Sequence, residues 1–109
     1  MKQFENILVT VSEECAEIQQ AVSKALRFGL DNHHPDNPDV TNADDIFFEF
    51  IQLQALIESL QEHGKLPIWD DFTVQTMKNN KIRNVAKWQE VSFECGTLQG
   101  KEGEDKDKE

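Results

Sequence analysis

The sequence has little cysteine and no hydrophobic run long enough to cross a membrane. Its two cysteines, Cys15 and Cys95, form no C-x-x-C motif and lie far apart in the 109-residue chain. They are interpreted as small apolar residues in a reducing compartment. No apolar run approaches the ~18 residues of a membrane span, and a helical pattern begins directly at the N-terminus. These features predict a soluble cytoplasmic protein with no membrane partner.

Basic residues are also scarce. There are 11 lysines and arginines against 21 aspartates and glutamates, which gives a net charge of -10 and a pI near 4.6. Because phosphate backbones require a basic surface, this balance argues against nucleic acid as a partner. It does not exclude a nucleotide, since a divalent metal on carboxylates, together with a few basic side chains, can hold one triphosphate.

Apolar residues are few for a chain that must bury a core. Hydrophobic residues make up 38% of the sequence, and its mean hydropathy is -0.62. The length is that of one domain with a single core. Such a core requires either narrow apolar stripes or surface shared with other subunits. We therefore expect one domain that forms oligomers.

The first part of the chain has the apolar spacing of one long amphipathic helix. Its apolar positions are Phe4, Ile7, Leu8, Val11, Cys15, Ile18, Val22, Ala25 and Leu26. Gly29 is the expected C-cap, and the segment 31–40, with two prolines and two asparagines, is the expected loop.

The second helix is expected to begin with Asn42 as its N-cap and to run to His63. Its main apolar stripe is Ile46, Phe50, Leu53, Ile57 and Leu60. Further apolar residues cover another side of its first half, namely Phe47, Phe48, Ile51 and Ala55. A helix that is apolar on two sides must be buried on two sides. In a chain this short, we expect a second subunit to cover one of them.

A third helix is expected from Asp70 or Asp71 to Cys95, with Gly96 as its stop. Its expected core positions are Val74, Met77, Val85, Trp88 and Ser92. The segment 99–109 is expected to be a disordered charged tail, since residues 101–109 include no apolar side chain. The whole pattern predicts an all-α fold, with a helical domain at residues 1–98.

The first helix has three carboxylates within a stretch of five residues. Glu13, Glu14 and Glu17 share one side of the helix, and the nearest basic residue is Lys24. This arrangement favours a cation supplied from outside, although an ordinary solvated acidic face is the alternative. The expected counterpart is Glu49-x-x-Gln52 in the second helix, because antiparallel packing could bring both flanks to one groove.

Other polar groups give weaker signals. Lys24 lies on the same side as Glu17, about 10 Å along the helix axis, which suits a phosphate oxygen bridged to a metal. The third helix carries the one basic stretch, Lys78, Lys81, Arg83 and Lys87. The pair His33-His34 lacks the further ligands that a closed metal site needs. Its loop could instead cover a ligand.

With Glu13-Glu14-x-x-Glu17 followed by Glu49-x-x-Gln52, the sequence resembles the MazG-like all-α nucleoside triphosphate pyrophosphohydrolases. The pattern of that family is Glu-Glu-x-x-Glu on one helix and Glu-x-x-Asp on the next. The segments 24–31 and 81–98 also look like small single-domain members. The likeness therefore covers residues 5–98.

The resemblance implies a helical bundle, homodimeric or homotetrameric, that binds Mg²⁺ or Mn²⁺ and splits a (d)NTP into the monophosphate and pyrophosphate. Its implied metal ligands are Glu14, Glu17, Glu49 and position 52, where this chain has Gln52 instead of Asp. A neutral amide oxygen brings no charge, so weaker metal binding is expected. Asp45, one turn before Glu49, is the residue that could compensate.

The chemistry of the residues agrees with that activity. Hydrolysis at the α–β bridge needs the phosphate charge neutralised and a water activated, and a metal on a carboxylate cluster supplies both. Glu13, which is not among the implied ligands, is the candidate base. The candidate phosphate contacts are Lys24, Arg27, Lys78 and Lys81. Trp69 or Trp88 could stack a base, with a core position as the alternative for Trp88.

Three other classes of protein are alternatives to this interpretation. A di-iron carboxylate bundle uses Glu-x-x-His, and no histidine here follows a glutamate by three residues. A coiled-coil adaptor requires longer unbroken heptads than these capped helices provide. A non-catalytic or weakly active relative that binds a nucleotide or another protein stays open because of Gln52.

Overall fold

The computed structural model describes residues 1–100, and over that range the chain forms three α-helices and no β-strand. The helices are α1 (Gln3–Phe28), α2 (Asn42–Glu62) and α3 (Asp71–Glu94). The all-α prediction is confirmed, and each helix lies within two residues of its predicted bounds. Most of the predicted tail, residues 101–109, lies outside the described residues.

Local capping explains where the helices begin and end. At the start of α2, the Thr41 hydroxyl accepts a hydrogen bond from the Asp44 amide at 3.1 Å, and the Asp44 carboxylate accepts one from the Thr41 amide at 3.0 Å. Thr41 is therefore the N-cap, and the prediction of Asn42 in that role is wrong. Gly29 follows α1 with a φ of 101°, a left-handed conformation that disfavours side chains and stops the helix.

The chain divides into two compact units, Met1–Ile68 with α1 and α2, and a second unit from Trp69 onward with α3. The single helical domain expected at 1–98 stays a prediction. None of the helices within residues 1–100 has the length and apolar character needed to cross a membrane.

In the first unit, α1 and α2 pack antiparallel. The Ala43 amide, at the start of α2, donates to the Leu30 carbonyl just after α1 at 3.0 Å. At the other end, the ammonium of Lys65 lies 4.5 Å from the ring centroid of Phe4. The buried apolar side chains of the described residues are Ala21, Ala25 and Leu60. The core is thus a narrow strip between the two helices, as the low hydrophobic content requires.

Much of the predicted core is exposed in this chain. Trp88 is 63% exposed and Met77 is 50% exposed, and none of the residues of α3 is buried. The prediction of a core role for these residues is therefore wrong for the chain by itself. The physical reason is that the described part of the second unit, residues 69–100, has a single helix, so the apolar stripe of α3 has no second helix there to pack against.

We expect the protein not to be monomeric. Phe47 and Phe48 of α2 are 63% and 57% exposed, and Ile51, on the same side, is 45% exposed. Exposed apolar surface of this extent favours association. Light scattering at micromolar concentration should give a mass of at least twice the 12.6 kDa chain, and a mass near 12.6 kDa would contradict the expectation.

Candidate metal centre

Three of the predicted ligands converge between α1 and α2. Glu14 and Glu17 lie one turn apart on α1, and Glu49 faces them from α2. Each offers a carboxylate oxygen, and these three oxygens all lie within 4.8 Å of one another. We call Glu14, Glu17 and Glu49 the carboxylate cluster. The antiparallel packing of the helices places the two acidic motifs side by side. This is the arrangement expected from their positions on the flanks of the apolar stripes of α1 and α2.

Within residues 1–100, no ion pair to a basic side chain balances the charge of the carboxylate cluster. The Oε2 atoms of Glu14 and Glu49 are buried and accept no hydrogen bond, and Glu17 is exposed. The ion pair in this part of the chain joins His34 and Asp36 and does not involve the cluster. Buried carboxylate oxygens without a donor are costly, so the arrangement is under electrostatic strain unless a proton or a cation is bound.

Binding of one proton is the first way in which this electrostatic strain can be relieved. Burial, and after it the nearby carboxylates of Glu17 and Glu14, raise the pKa of Glu49 from 4.5 to about 7. Glu49 is therefore close to half-protonated at neutral pH in the absence of a metal. Its ionisation requires either higher pH or a neighbouring cation.

Binding of a divalent cation is the second way, and the carboxylate oxygens of the cluster suit Mg²⁺ or Mn²⁺. Both ions prefer carboxylate oxygens. Two oxygens that bind one Mg²⁺ lie about 3 to 4 Å apart, because each Mg–O distance is about 2.1 Å. The three cluster oxygens already lie within 4.8 Å of one another. Only a small side-chain adjustment would therefore bring them to the spacing that one Mg²⁺ requires. Glu14, Glu17 and Glu49 therefore fit a divalent cation, and the buried Oε2 atoms of Glu14 and Glu49, which accept no hydrogen bond, supply the driving force.

The other predicted members of the site lie around the carboxylate cluster. Glu13 is exposed on α1, and it is not one of the three acids whose oxygens converge. Asp45 is half-buried one turn before Glu49, and it too is outside that group of three. Gln52 is exposed one turn after Glu49. These three residues border the cluster along the helices.

Replacing Gln52 by Asp is expected to tighten Mg²⁺ binding. The substitution adds a charged oxygen one helical turn from Glu49, and each added carboxylate strengthens the attraction for a hard cation. Calorimetry with Mg²⁺ should show an increase of about tenfold or less, since an exposed position is screened by water. Asp45→Asn is the matched control for the other flank. An unchanged affinity in Gln52→Asp would place residue 52 outside the site.

The predicted phosphate contacts fall in both units. Lys24 and Arg27 lie on α1 and line a shallow concave surface with Gln20 and Ser23. Arg27 also stacks against its neighbour Phe28, with the guanidinium carbon 5.9 Å from the ring centroid. Lys78 and Lys81 lie on α3, in the second unit. The roles of all four basic residues stay predictions.

The aromatic candidates are both exposed. Trp69 is 52% exposed at the start of the second unit. Trp88 lies on α3 in a shallow groove that it lines together with Lys81, Val85 and Leu98. An indole ring in an open groove beside a lysine is accessible to a planar ligand. Base stacking by either residue stays a prediction.

The loop between α1 and α2 fixes the register of the two acidic motifs. The buried Asn42 side chain donates from Nδ2 to the Gly29 carbonyl at 2.8 Å, and its backbone amide donates to the Asn32 carbonyl at 2.8 Å. An isolated antiparallel bridge joins His33 to Thr41. This role of Asn42 is not predicted from the sequence, because the contact with Gly29 joins residues 13 positions apart and depends on tertiary structure. We call these contacts the loop neck.

The histidine pair in this loop is engaged in local contacts. Nδ1 of His33 lies 2.9 Å from the His34 carbonyl oxygen, and Nδ1 of His34 accepts from the Asp36 amide at 3.1 Å. Both rings thus stabilise the turn through one nitrogen each. The interpretation that the pair does not form a closed metal site stays a prediction.

Comparison of the chain with protein-family models, with curated proteins and with solved structures gives no match in any of the three.

Proposed function

We propose that the protein is a metal-dependent nucleoside triphosphate pyrophosphohydrolase of the MazG-like type. The observation that carries the proposal is the convergence of Glu14, Glu17 and Glu49 from two helices, with buried oxygens that accept no hydrogen bond. These are three of the positions that the family pattern assigns to metal binding. The proposal includes the family, the reaction and a homodimeric or homotetrameric assembly.

The proposed reaction is the attack of water on the α-phosphorus of a (d)NTP. It forms a bond from the water oxygen to phosphorus, breaks the bridge to the β-phosphate, and yields the monophosphate, pyrophosphate and a proton. A bound Mg²⁺ or Mn²⁺ supplies neutralisation of phosphate charge and activation of water. Glu14, Glu17 and Glu49 would hold this ion, with Gln52 and Asp45 as flanking oxygens.

Other side chains take supporting roles in the proposal. Glu13, exposed beside the carboxylate cluster, would accept the proton of the attacking water. Lys24 and Arg27 follow the cluster on α1 and would contact phosphate oxygens. Lys78 and Lys81 are the corresponding basic candidates on α3. Each of these roles requires only a solvent-accessible side chain. The glutamate and the four basic residues are all exposed.

The direct test is a screen for pyrophosphate release across the common NTPs and dNTPs with Mg²⁺ and with Mn²⁺. We expect monophosphate and pyrophosphate in equal amounts from at least one substrate, and no product in EDTA. Release of orthophosphate instead would contradict cleavage at the α–β bridge. Turnover that persists in EDTA would contradict the metal site.

A second candidate is a nucleotide sensor that binds without turnover. The specific observation in its favour is Gln52, which brings no charge at the position where the family pattern has Asp. Titration calorimetry with Mg²⁺ and a nucleotide separates the two functions. A sensor would bind the pair and release no pyrophosphate, whereas an enzyme would do both.

A further inference from the structure

The turn that follows α2 folds back onto the start of α1. Gly64 has a φ of 71°, a left-handed conformation that ends the helix. The amides of Lys65 and Leu66 then donate to the Leu60 carbonyl at 2.8 and 3.3 Å, which holds the turn in one shape. As a result, the ammonium of Lys65 lies 4.5 Å from the ring centroid of Phe4.

A second ammonium meets the same aromatic ring. Nζ of Lys2, just before α1, lies 6.0 Å from the ring centroid of Phe4. Within residues 1–100, neither Lys2 nor Lys65 forms an ion pair. The ring attracts each cation through its π face but carries no net negative charge. Two like charges held near one ring repel each other, and an anion bound by both would remove that repulsion.

The two lysines line an open cleft between the start of α1 and the end of α2. The cleft has a volume of about 540 Å³, and its walls include Lys2, His63 and Lys65 together with the apolar side chains of Phe4 and Ile7. Small-molecule sites commonly have about 300 to 1,000 Å³. In a chain with a net charge of -10, a cleft lined by three basic side chains indicates a preference for anions.

No acidic side chain of the described residues lines this cleft. Glu5 and Glu62 are the nearest acids in sequence, and Oε1 of Glu5 accepts a hydrogen bond from the Lys2 amide at 3.1 Å. Nδ1 of His63 lies 2.7 Å from the Ser59 carbonyl oxygen, which fixes the ring at the end of α2 and leaves Nε2 for a ligand. The cleft therefore offers positive charge and no carboxylate that would compete with an anion.

We propose that this cleft binds the phosphate group of a small phosphomonoester. Such a group carries a charge of about -1.5 to -2 at pH 7, which matches the two ammonium charges of Lys2 and Lys65. Its three terminal oxygens can accept hydrogen bonds from both lysines and from His63. The apolar side chains of Phe4 and Ile7 suit the organic part of the molecule. A monocarboxylate would balance only one of the two charges.

This site is separate from the carboxylate cluster. Phe4 and Glu14 are ten residues apart on α1, which corresponds to about 15 Å along the helix axis. No step of the proposed hydrolysis uses a side chain of the cleft. The inference therefore does not rest on the proposed pyrophosphohydrolase activity, and binding can be measured without a metal and without turnover.

NMR titration of the full chain with phenyl phosphate in EDTA tests the site. The backbone amides of Phe4 and Lys65 should shift and saturate at millimolar concentration or below. Lys2→Gln and Lys65→Gln should each weaken binding by about tenfold, because each removes one charged donor. Lys87→Gln is the matched control, since it removes an ammonium that lies 5.8 Å from the ring centroid of Trp88, and it should bind phenyl phosphate as the unmodified chain does.

Two further probes test the chemistry of the ligand. Inorganic phosphate should shift the same amides, and benzoate, which carries one charge, should bind at least about tenfold more weakly than phenyl phosphate. Benzoate that binds as tightly as phenyl phosphate would overturn the preference for a phosphate group. Saturating shifts at Lys24 and Arg27 instead of Phe4 and Lys65 would overturn the location. Shifts that do not saturate, that vanish in about 0.15 M salt and that are equal in all three lysine variants would show an adventitious ion only.

Discussion

Replacing Glu49 with Gln is expected to abolish metal binding and to reduce kcat/KM by at least about 100-fold. Changes to residues that only support a metal ligand commonly cost about 10- to 100-fold, and Glu49 is proposed as a ligand itself. The substitution keeps the size of the side chain and removes the charge. Calorimetry with Mg²⁺ and the pyrophosphate assay measure the two effects.

Glu58→Gln is the matched control for this variant. Glu58 is exposed on the same helix and is not one of the three acids that converge, so its variant should bind Mg²⁺ as the unmodified chain does. In EDTA at pH 8, Glu49→Gln should be at least as stable as the unmodified chain, since it removes a partly buried charge beside two others. A clear loss of melting temperature in EDTA would show that Glu49 has a structural partner, which would contradict the metal-site proposal.

The stability of the metal-free protein is expected to fall as pH rises from about 5 to 7. The pKa of Glu49 is about 7 in the folded chain against an ordinary value of 4.5. Between these values the folded state holds a proton that the unfolded state has lost, so raising the pH favours unfolding. Below 4.5 both states are protonated, and above 7 both are ionised, so the effect of Glu49 is constant outside this interval.

Thermal melts in EDTA across this range measure the effect as a difference between the unmodified chain and Glu49→Gln. The unmodified chain should lose several degrees of melting temperature relative to the variant between pH 5 and pH 7 and no more above it. Mg²⁺ competes with the same proton, so its affinity should rise with pH over the same interval. A difference that stays flat from pH 5 to pH 8 would show that Glu49 has an ordinary pKa.

The helices and their ends could be predicted from sequence because the signals are local. Gly29 ends α1 through its own backbone conformation, and apolar spacing alone gives the length of α1. The sequence predicts the N-cap of α2 one residue too late, at Asn42 instead of Thr41. Thr41 and Asn42 both suit a cap, and the choice depends on the tertiary contact that buries the Asn42 amide.

The carboxylate cluster was predictable in part. Glu14 and Glu17 share a helix side by periodicity, but their distance from Glu49 depends on the register between two helices, which no local pattern determines. The exposure of Trp88 was not predictable for the same reason. Apolar spacing shows which side of a helix seeks a partner and does not show whether the same chain supplies it.

The loop neck has a consequence for engineering the chain. Its contacts at Gly29, Asn32 and Asn42 close the loop at its base, so the tip at residues 35–39 is not what aligns the helices. Doubling the length of a flexible loop costs only about 0.6 kcal/mol in closure entropy. The tip is therefore a suitable position for grafting an epitope or a fluorescent reporter without shifting Glu49 relative to Glu14 and Glu17.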